Sequence, residues 1–406
     1  MSLHETETAL QRTAPVVSTD VSHSWARLDG VDILRGLAIF FVLMNHVNMR
    51  LFLADIPYTQ GLPAQLVSSL VWNGQHGVQM FFAVSGFLIT STSLRRWGTL
   101  PRVGVRDFYA LRFARIAPLL LLLLAVLTIL HVAGLKDFVV PAITGGLGRA
   151  LVAALTFHIN VLEARRGYLP GSWDILWSLS VEEMFYLFFP LICRLLGRGG
   201  WLITLLLVFV ALGPLGRTVF AHGNEVWQEY SYLGGMDAIA LGCLTAIAIS
   251  RTTIPRATLW VLSSVGTVLV LFSLGFSKQA EAWGLGRGGL DMTVLAIGSC
   301  MVIAAAAQTQ WSSPRVLAPL IKLGQRSYEV YLTHMFVVFA LFASFNLAGR
   351  PLSTIPVLFI AVIVASGLLG EWVARFYSEP MNRLLRHRFG DGADRLGSLI
   401  HSRAPS

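Results

Sequence analysis

The residues from Asp32 to Phe52 read Asp-Ile-Leu-Arg-Gly-Leu-Ala-Ile-Phe-Phe-Val-Leu-Met-Asn-His-Val-Asn-Met-Arg-Leu-Phe. This stretch is long and apolar enough to span a bilayer as a helix, yet it carries Arg35 and His46. Helical steps of about 100° bring these two side chains onto one face, roughly 16 Å apart along the axis. A charge and an imidazole inside a membrane are costly and typically line a polar cavity or a reaction path. The stretch therefore predicts a functional site within the membrane.

The composition predicts that the whole chain is an integral membrane protein. Of its 406 residues, 55% are hydrophobic and 13% are charged, and the mean hydropathy is +0.65. Soluble domains carry about twice that charged fraction. The net charge of +9 comes mostly from basic residues between apolar runs, as the positive-inside rule predicts, so we expect no nucleic-acid partner. The three cysteines lack paired spacing, so we expect no metal site.

The apolar runs predict an all-α fold, a polytopic integral membrane helix bundle. About ten transmembrane helices are expected, beginning near Asp32, Gly77, Ile116, Leu176, Trp201, Leu233, Thr258, Leu290, Tyr328 and Thr354. The shorter run from Ala150 to Leu162 suits a re-entrant or interfacial segment better than a span. If that run does not cross, the loops rich in arginine and lysine all fall on one side of the membrane. The positive-inside rule makes that side cytoplasmic and places both termini there.

The distribution of polar residues predicts that the chain is divided into three parts, two tails and a transmembrane domain. Residues 1–30 lack the apolar core of a signal peptide and are expected to form a flexible cytoplasmic tail. Residues 31–380 form the transmembrane domain that carries the chemistry. Residues 381–406 form a short basic cytoplasmic tail.

The predicted orientation brings a carboxylate to the depth of His46. Glu182 lies about two turns below the outer surface in a span that runs inward. A carboxylate paired with an imidazole fixes the tautomer and raises the basicity needed for general-base catalysis. We therefore expect Glu182 to orient His46. The alternative is a structural polar pair that stabilises helix packing.

Other polar residues in or beside the spans are candidates for the same cavity. Arg112 and Arg115 lie at the cytoplasmic mouth of the third span, where their guanidinium groups suit binding of phosphates. The alternative is that these two arginines only set the orientation of the span, as the positive-inside rule describes. For Ser85, which lies beside Gly86, a role in close helix packing is favoured over a role as a nucleophile. The remaining candidates line the cavity or, equally, form hydrogen bonds between helices; they are Asp237, Tyr331 and His334.

Five segments in order resemble the membrane acyltransferase family 3, which includes O-acetylases of lipopolysaccharide, peptidoglycan and exopolysaccharide, and macrolide acylases. The segments are Arg35 with ten residues before His46, Phe81-Phe82-x-x-Ser85-Gly86-Phe87-Leu88-Ile89, Arg112-x-x-Arg115-Ile116-x-Pro118, Trp177-Ser178-Leu179-x-x-Glu182-x-x-Phe185-Tyr186 and Ser327-Tyr328-x-x-Tyr331-Leu332-x-His334. The resemblance implies transfer of an acyl group, usually acetyl from cytoplasmic acetyl-CoA, to a hydroxyl of a carbohydrate, glycolipid or related acceptor. It also implies a location in the bacterial inner membrane.

The resemblance makes Arg35 and His46 the essential pair and supports roles for the other matching residues. In the resulting hypothesis, His46 takes a proton from the acceptor hydroxyl, or first forms an acyl-imidazole, while Arg35, Arg112 and Arg115 hold the donor's phosphates or neutralise developing charge. A hypothesis of another class is a proton-coupled exporter of a saccharide or lipid-linked intermediate, in which His46 and Glu182 relay protons. The acceptor and the oligomeric state stay open.

Overall fold

The computed structural model describes residues 28–286, 288–309 and 313–388, and its regular elements in these ranges are helices without a strand. The α-helices are α1 Asp29–Leu53, α2 Ala64–Val71, α3 Gly74–Trp97, α4 Val105–Val132, α5 Gly146–Leu155, α6 Ile159–Arg166, α7 Gly171–Asp174, α8 Leu176–Leu196, α9 Trp201–Arg217, α10 Glu225–Tyr230, α11 Tyr232–Arg251, α12 Arg256–Gly275, α13 Ser277–Ala282, α14 Asp291–Gln308, α15 Ala318–Gln325, α16 Ser327–Leu347 and α17 Ile355–Val373. The prediction of an all-α membrane bundle is confirmed.

Nine helical segments in the described residues are long and apolar enough to cross a membrane. They are Asp29–Leu53, Ala64–Trp97, Val105–Val132, Gly171–Leu196, Glu225–Arg251, Arg256–Gly275, Asp291–Gln308, Ser327–Leu347 and Leu352–Arg388. The chain is therefore a multi-pass membrane protein. The last segment continues past α17 through the π-helical turn Ala374–Ser378, so the predicted tail at 381–406 begins as helix. The rest of that tail, 389–406, and residues 1–27 of the amino-terminal tail lie outside the described residues.

Helix α9 supplies a tenth crossing although it has only 17 residues, the lower limit for a span. The ring of Trp177, at the start of α8, stacks on that of Tyr230, just before α11, with 4.1 Å between centroids. The two spans therefore begin on the same side of the bundle. Helix α9 joins the end of α8 to the segment of Val219–Ala221 and α10 that precedes α11, so it runs back across the bundle. The nine segments of spanning length, together with the shorter α9, agree with the expected number of about ten, while the cytoplasmic placement of the termini stays a prediction.

The short apolar run between α4 and α8 does not form one continuous helix. It divides into α5, of ten residues, and α6, of eight. The break includes Phe157, whose φ of 56° is left-handed and incompatible with a continuing α-helix. Neither piece is long enough to cross a bilayer. This agrees with the expected re-entrant or interfacial segment.

Small residues allow the helices around α1 and α3 to approach closely. A Cβ added to Gly86 in α3 would lie 1.9 Å from the carbonyl oxygen of Ile239 in α11, and one on Gly324 in α15 would lie 1.9 Å from the carbonyl oxygen of Asp32 in α1. Only glycine permits such contacts, which bring backbones together in the manner usual for membrane helices. Helices α1 and α3 are thus held firmly at the centre of the bundle.

The outer helices present apolar side chains to the surroundings. Along α12, five large apolar side chains are 43% to 66% exposed, namely Trp260, Val261, Val265, Val268 and Leu271. Such a surface suits contact with lipid. Inside the bundle, a cavity with polar and charged lining lies among α1, α3, α4, α8 and α16.

Candidate active site

A cavity of about 380 Å³ lies between five spans and opens beside the end of the last helix. Helix α1 contributes Arg35, α3 contributes Ser85, α4 contributes Arg112 and Arg115, and α8 contributes Glu182. Its remaining lining consists of Val78, Phe81, Phe82, Val84, Leu88, Ile89, Thr92, Ile116, Ser178, Leu179, Glu183, Tyr186, Ser327, Tyr328, Tyr331, Leu332 and Arg386. The structure thus gathers the arginines, the serine and the glutamate that the sequence predicted around one space.

Glu182 is the centre of a hydrogen-bond cluster in this cavity. Its Oε1 accepts hydrogen bonds from the hydroxyls of Ser85 and of Tyr186, the latter at 2.7 Å, and from Arg112 at 3.3 Å. Arg112 also contacts Glu183 at 3.1 Å and stacks over the Tyr186 ring at 3.6 Å. Because the donors among the described residues all meet Oε1, the second carboxylate oxygen of Glu182 accepts no hydrogen bond from this part of the chain. We call these five residues the Glu182 cluster.

The other two predicted arginines are each paired with a carboxylate. Arg115 lies 3.1 Å from Glu329, which is 1% exposed in its side chain. Arg35 lies 3.3 Å from Asp32, one turn earlier on α1. Charges paired in this way are tolerated inside a membrane protein, and the planar guanidinium groups keep further N–H donors for a ligand.

The imidazole of His46 meets a second histidine. Its Nδ1 lies 2.8 Å from the carbonyl oxygen of Val42 and 3.4 Å from Nε2 of His334. The Nδ1 of His334 lies 2.6 Å from the carbonyl oxygen of Tyr331. Carbonyl oxygens only accept, so each neutral ring carries its proton on Nδ1. This tautomer leaves Nε2 of His46 unprotonated, as a base requires.

The expected pairing of His46 with Glu182 is not formed. Within the described residues, the hydrogen bonds of the His46 side chain go to Val42 and His334, whereas Glu182 binds Ser85, Tyr186 and Arg112. The start of α3 meets α1 beside His46, where a Cβ on Gly74 would lie 2.7 Å from Asn45, whereas Glu182 bonds Ser85 about three turns further along α3. The two residues therefore lie at different depths, and the expected match in depth is wrong. His334, predicted as a cavity residue, instead orients His46.

Tyr331 stands between the cavity and the histidine pair. It lines the cavity, its hydroxyl bonds Ser178 at 2.7 Å and donates to the carbonyl oxygen of Ile175 at 2.9 Å, and its ring lies 5.9 Å from that of His334. His46 is half-buried and His334 is fully buried. The two histidines are therefore one residue layer beyond the cavity wall.

Asp237 lies away from this cavity. It is fully buried and accepts hydrogen bonds from Arg217, from Gln79 at 2.9 Å and from Thr293 at 2.6 Å. These partners come from three different helices, α9, α3 and α14. The helix-packing alternative for Asp237 is therefore the one that the structure supports.

Sequence reasoning missed several residues at the cavity. Asp32 and Glu329 were not selected as ion-pair partners, because their partners are identified only after folding. Arg386 was placed in a basic tail, yet it lines the cavity from the helix that continues past Ser378. A usable signal was the absence of glycine and proline from residues 381–388, which favours continued helix.

The family model of an acyltransferase domain matches residues 28–375, so the chain belongs to this family of membrane-embedded acyltransferases. It is similar to O-acetyltransferase OatA of Staphylococcus aureus, with 24% identity over 375 residues, 88% of this chain and 57% of that protein. It is also similar to peptidoglycan O-acetyltransferase OatA of Listeria monocytogenes, with 27% identity over 330 residues, 75% of this chain and 48% of that protein. The chain thus spans about half the length of these relatives. No solved structure matches it.

Proposed function

We propose that this protein is a membrane O-acyltransferase that moves an acetyl group from acetyl-CoA to a hydroxyl of a carbohydrate or glycolipid at the bacterial inner membrane. The family assignment and the O-acetyltransferase relatives support the reaction class. The name of the Listeria relative supports a saccharide acceptor. The observation that carries the proposal is the contact of His46 Nδ1 with the carbonyl oxygen of Val42, because a proton on Nδ1 leaves Nε2 unprotonated beside a cavity in which a carboxylate oxygen is free for a hydroxyl.

The residues supply both the base and the positioning for this reaction. The free carboxylate oxygen of Glu182 accepts a hydrogen bond from a second hydroxyl of the acceptor and thereby positions the reacting hydroxyl near the thioester. Nε2 of His46 then takes the hydroxyl proton as the oxygen attacks the thioester carbonyl carbon. The tetrahedral intermediate collapses with cleavage of the C–S bond, and the departing thiolate receives the proton from His46. Arg35 and Arg112 neutralise the charge that develops on the carbonyl oxygen.

The reaction geometry requires the Tyr331 side chain to move. Its ring occupies the layer between the cavity and the histidines, so the hydroxyl and thioester reach Nε2 of His46 only when it turns aside. The movement breaks its bonds to Ser178 and Ile175. A gate of this kind keeps the base away from water until both substrates are bound.

The donor's phosphates enter past Arg386. Arg35, Arg112 and Arg115 are already paired with carboxylates, whereas the Arg386 guanidinium bonds only the side-chain oxygen of Asn382 among the described residues. Its position at the cavity rim suits phosphate binding, and Arg115 adds a second guanidinium deeper inside.

The test uses membranes that contain the full chain, supplied with labelled acetyl-CoA. The His46→Ala variant is expected to lower labelling of the acceptor by roughly 10²- to 10⁴-fold, the usual contribution of a general base. The matched control is His387→Ala, since His387 is exposed and outside the cavity lining. An unchanged rate in His46→Ala, or saccharide flux without consumption of CoA, would contradict the proposal; the second result would favour the exporter.

A further inference from the structure

A second large groove lies where α3 and α11 end and α9 begins. Its volume is about 1090 Å³. The loop at 197–200 and the 3-10 turn Leu100–Arg102 complete its walls. This end of α3 is also the end that reaches the mouth of the catalytic cavity through Thr92, so the groove belongs to the predicted cytoplasmic side. We call it the basic groove.

The groove is lined by four exposed arginines, Arg95, Arg102, Arg198 and Arg251. No Asp or Glu is among its lining residues. Within the described ranges, none of the four guanidinium groups forms an ion pair or a hydrogen bond with another side chain, in contrast to Arg35, Arg112 and Arg115 of the catalytic cavity. Like charges around one space repel each other, and a bound anion relieves that repulsion.

The floor of the basic groove is apolar. It is formed by Leu94, Leu100, Leu202, Ile203, Ile247 and Ile249, of which four are at most 7% exposed. The rim continues onto the outer surface of α9, where Trp201 is 66% exposed. An exposed tryptophan at the end of a span is typical of the membrane interface. The groove therefore combines a basic rim and an apolar floor at headgroup level.

We propose that the basic groove binds an anionic phospholipid of the surrounding bilayer. The phosphate lies against the arginines, whose planar forks suit bidentate contacts, and an acyl chain covers the apolar floor. A water-soluble nucleotide would satisfy the rim but leave the floor exposed. The occupied groove ties together the ends of α3, α9 and α11, and α3 carries Ser85 of the Glu182 cluster.

The experiment measures lipid binding to the purified full chain by native mass spectrometry during titration with phosphatidylglycerol or phosphatidylcholine. The groove variant is the double substitution Arg198→Ala and Arg251→Ala. The control variant is Arg106→Ala and Arg315→Ala, which removes the same charge from exposed positions outside the groove. We expect phosphatidylglycerol to bind about 30-fold more weakly to the groove variant than to the control.

Two further arms separate the possible outcomes. The pair Arg198→Lys and Arg251→Lys keeps the charge and should retain phosphatidylglycerol preference, so failure of the alanine variant to fold does not end the test. Equal binding of phosphatidylglycerol by the groove and control variants would overturn the proposal. Displacement of the lipid by adenosine 3′,5′-bisphosphate would overturn it as well, because the groove would then belong to the acyl donor.

Discussion

Two clusters of arginine and carboxylate lie between the spans of this protein, and they differ in how completely their polar atoms are satisfied. In the first, both oxygens of Asp237 meet Arg217, at 3.1 and 2.8 Å, and the same guanidinium donates to the carbonyl oxygen of Gly289 and to Thr293. The Asp237 side chain is 0% exposed. In the Glu182 cluster, the side chains of Glu182 and Arg112 are 22% and 24% exposed and face a cavity.

The difference shows that a charge within the membrane does not by itself identify a reactive site. A closed cluster with saturated hydrogen bonds joins helices, because each unpaired polar atom in such surroundings is costly. An open cluster with one carboxylate oxygen to spare has capacity for a ligand. The same pair of residue types therefore forms a closed packing contact in one place and a contact open to a cavity in the other.

The largest expected effect follows from removing the carboxylate of the closed cluster. Asp237→Ala leaves Arg217 buried without its ion-pair partner, which should lower the free energy of unfolding by about 3–5 kcal/mol. Thermal unfolding in detergent and the yield of folded protein measure this loss. Thr293→Val, which removes one neutral donor, should have an effect of about 1 kcal/mol. Near-normal stability of Asp237→Ala would show that the network is not structural.

The matching change in the open cluster should act on the reaction. Glu182→Gln weakens the charge-assisted bond to Arg112 and the contact to the substrate hydroxyl, so acyl transfer should slow by about 10- to 100-fold. Arg112 keeps Glu183, so stability should change much less than in Asp237→Ala. The measurements are transfer per folded molecule and thermal unfolding, with the exposed Glu225→Gln as control. A large loss of stability with an unchanged rate would remove the distinction between the clusters.

A smaller effect is expected from the partner of His46. His334→Phe removes the nitrogen that faces Nδ1 of His46 and should slow transfer by about 5-fold, corresponding to one neutral hydrogen bond. His334→Gln offers an amide oxygen in its place and should restore part of the rate. The readout is the rate constant at saturating donor and its pH profile. Equal rates for the two variants would indicate that His334 only fills space.

The smallest effect concerns a carboxyl outside the spans. Burial, with Asp174 nearby, raises the pKa of Glu163 well above its usual value. The unfolded chain loses this proton at a lower pH than the folded chain does, so the group destabilises the protein increasingly as pH rises above the ordinary carboxyl pKa. Glu163→Gln should therefore raise the midpoint of thermal unfolding more in mildly alkaline than in mildly acidic buffer. A pH-independent difference would contradict this assignment.

Much of the fold follows from local sequence. Long apolar runs predict spans because backbone groups in lipid must bond within their own helix, and the short run at 150–162 was recognised by its length. The candidate residues Ser85, Glu182 and Tyr331 were selected because polar side chains are rare in such surroundings, and all three line one cavity. Asp237 met the same criterion and lies elsewhere, since rarity does not distinguish packing from binding.

By itself, the sequence determined that the chain is a bundle of membrane helices, that Arg35 and His46 share one face of the first span, and which polar residues were candidates. Only the tertiary structure determined which side chains these candidate residues contact. Glu182 meets Ser85 across 97 residues, Arg115 meets Glu329 across 214, and His334 meets His46 across 288. These contacts depend on the rotation and tilt of each helix, which are set by packing between helices and have no counterpart in the hydrophobic pattern of any one span.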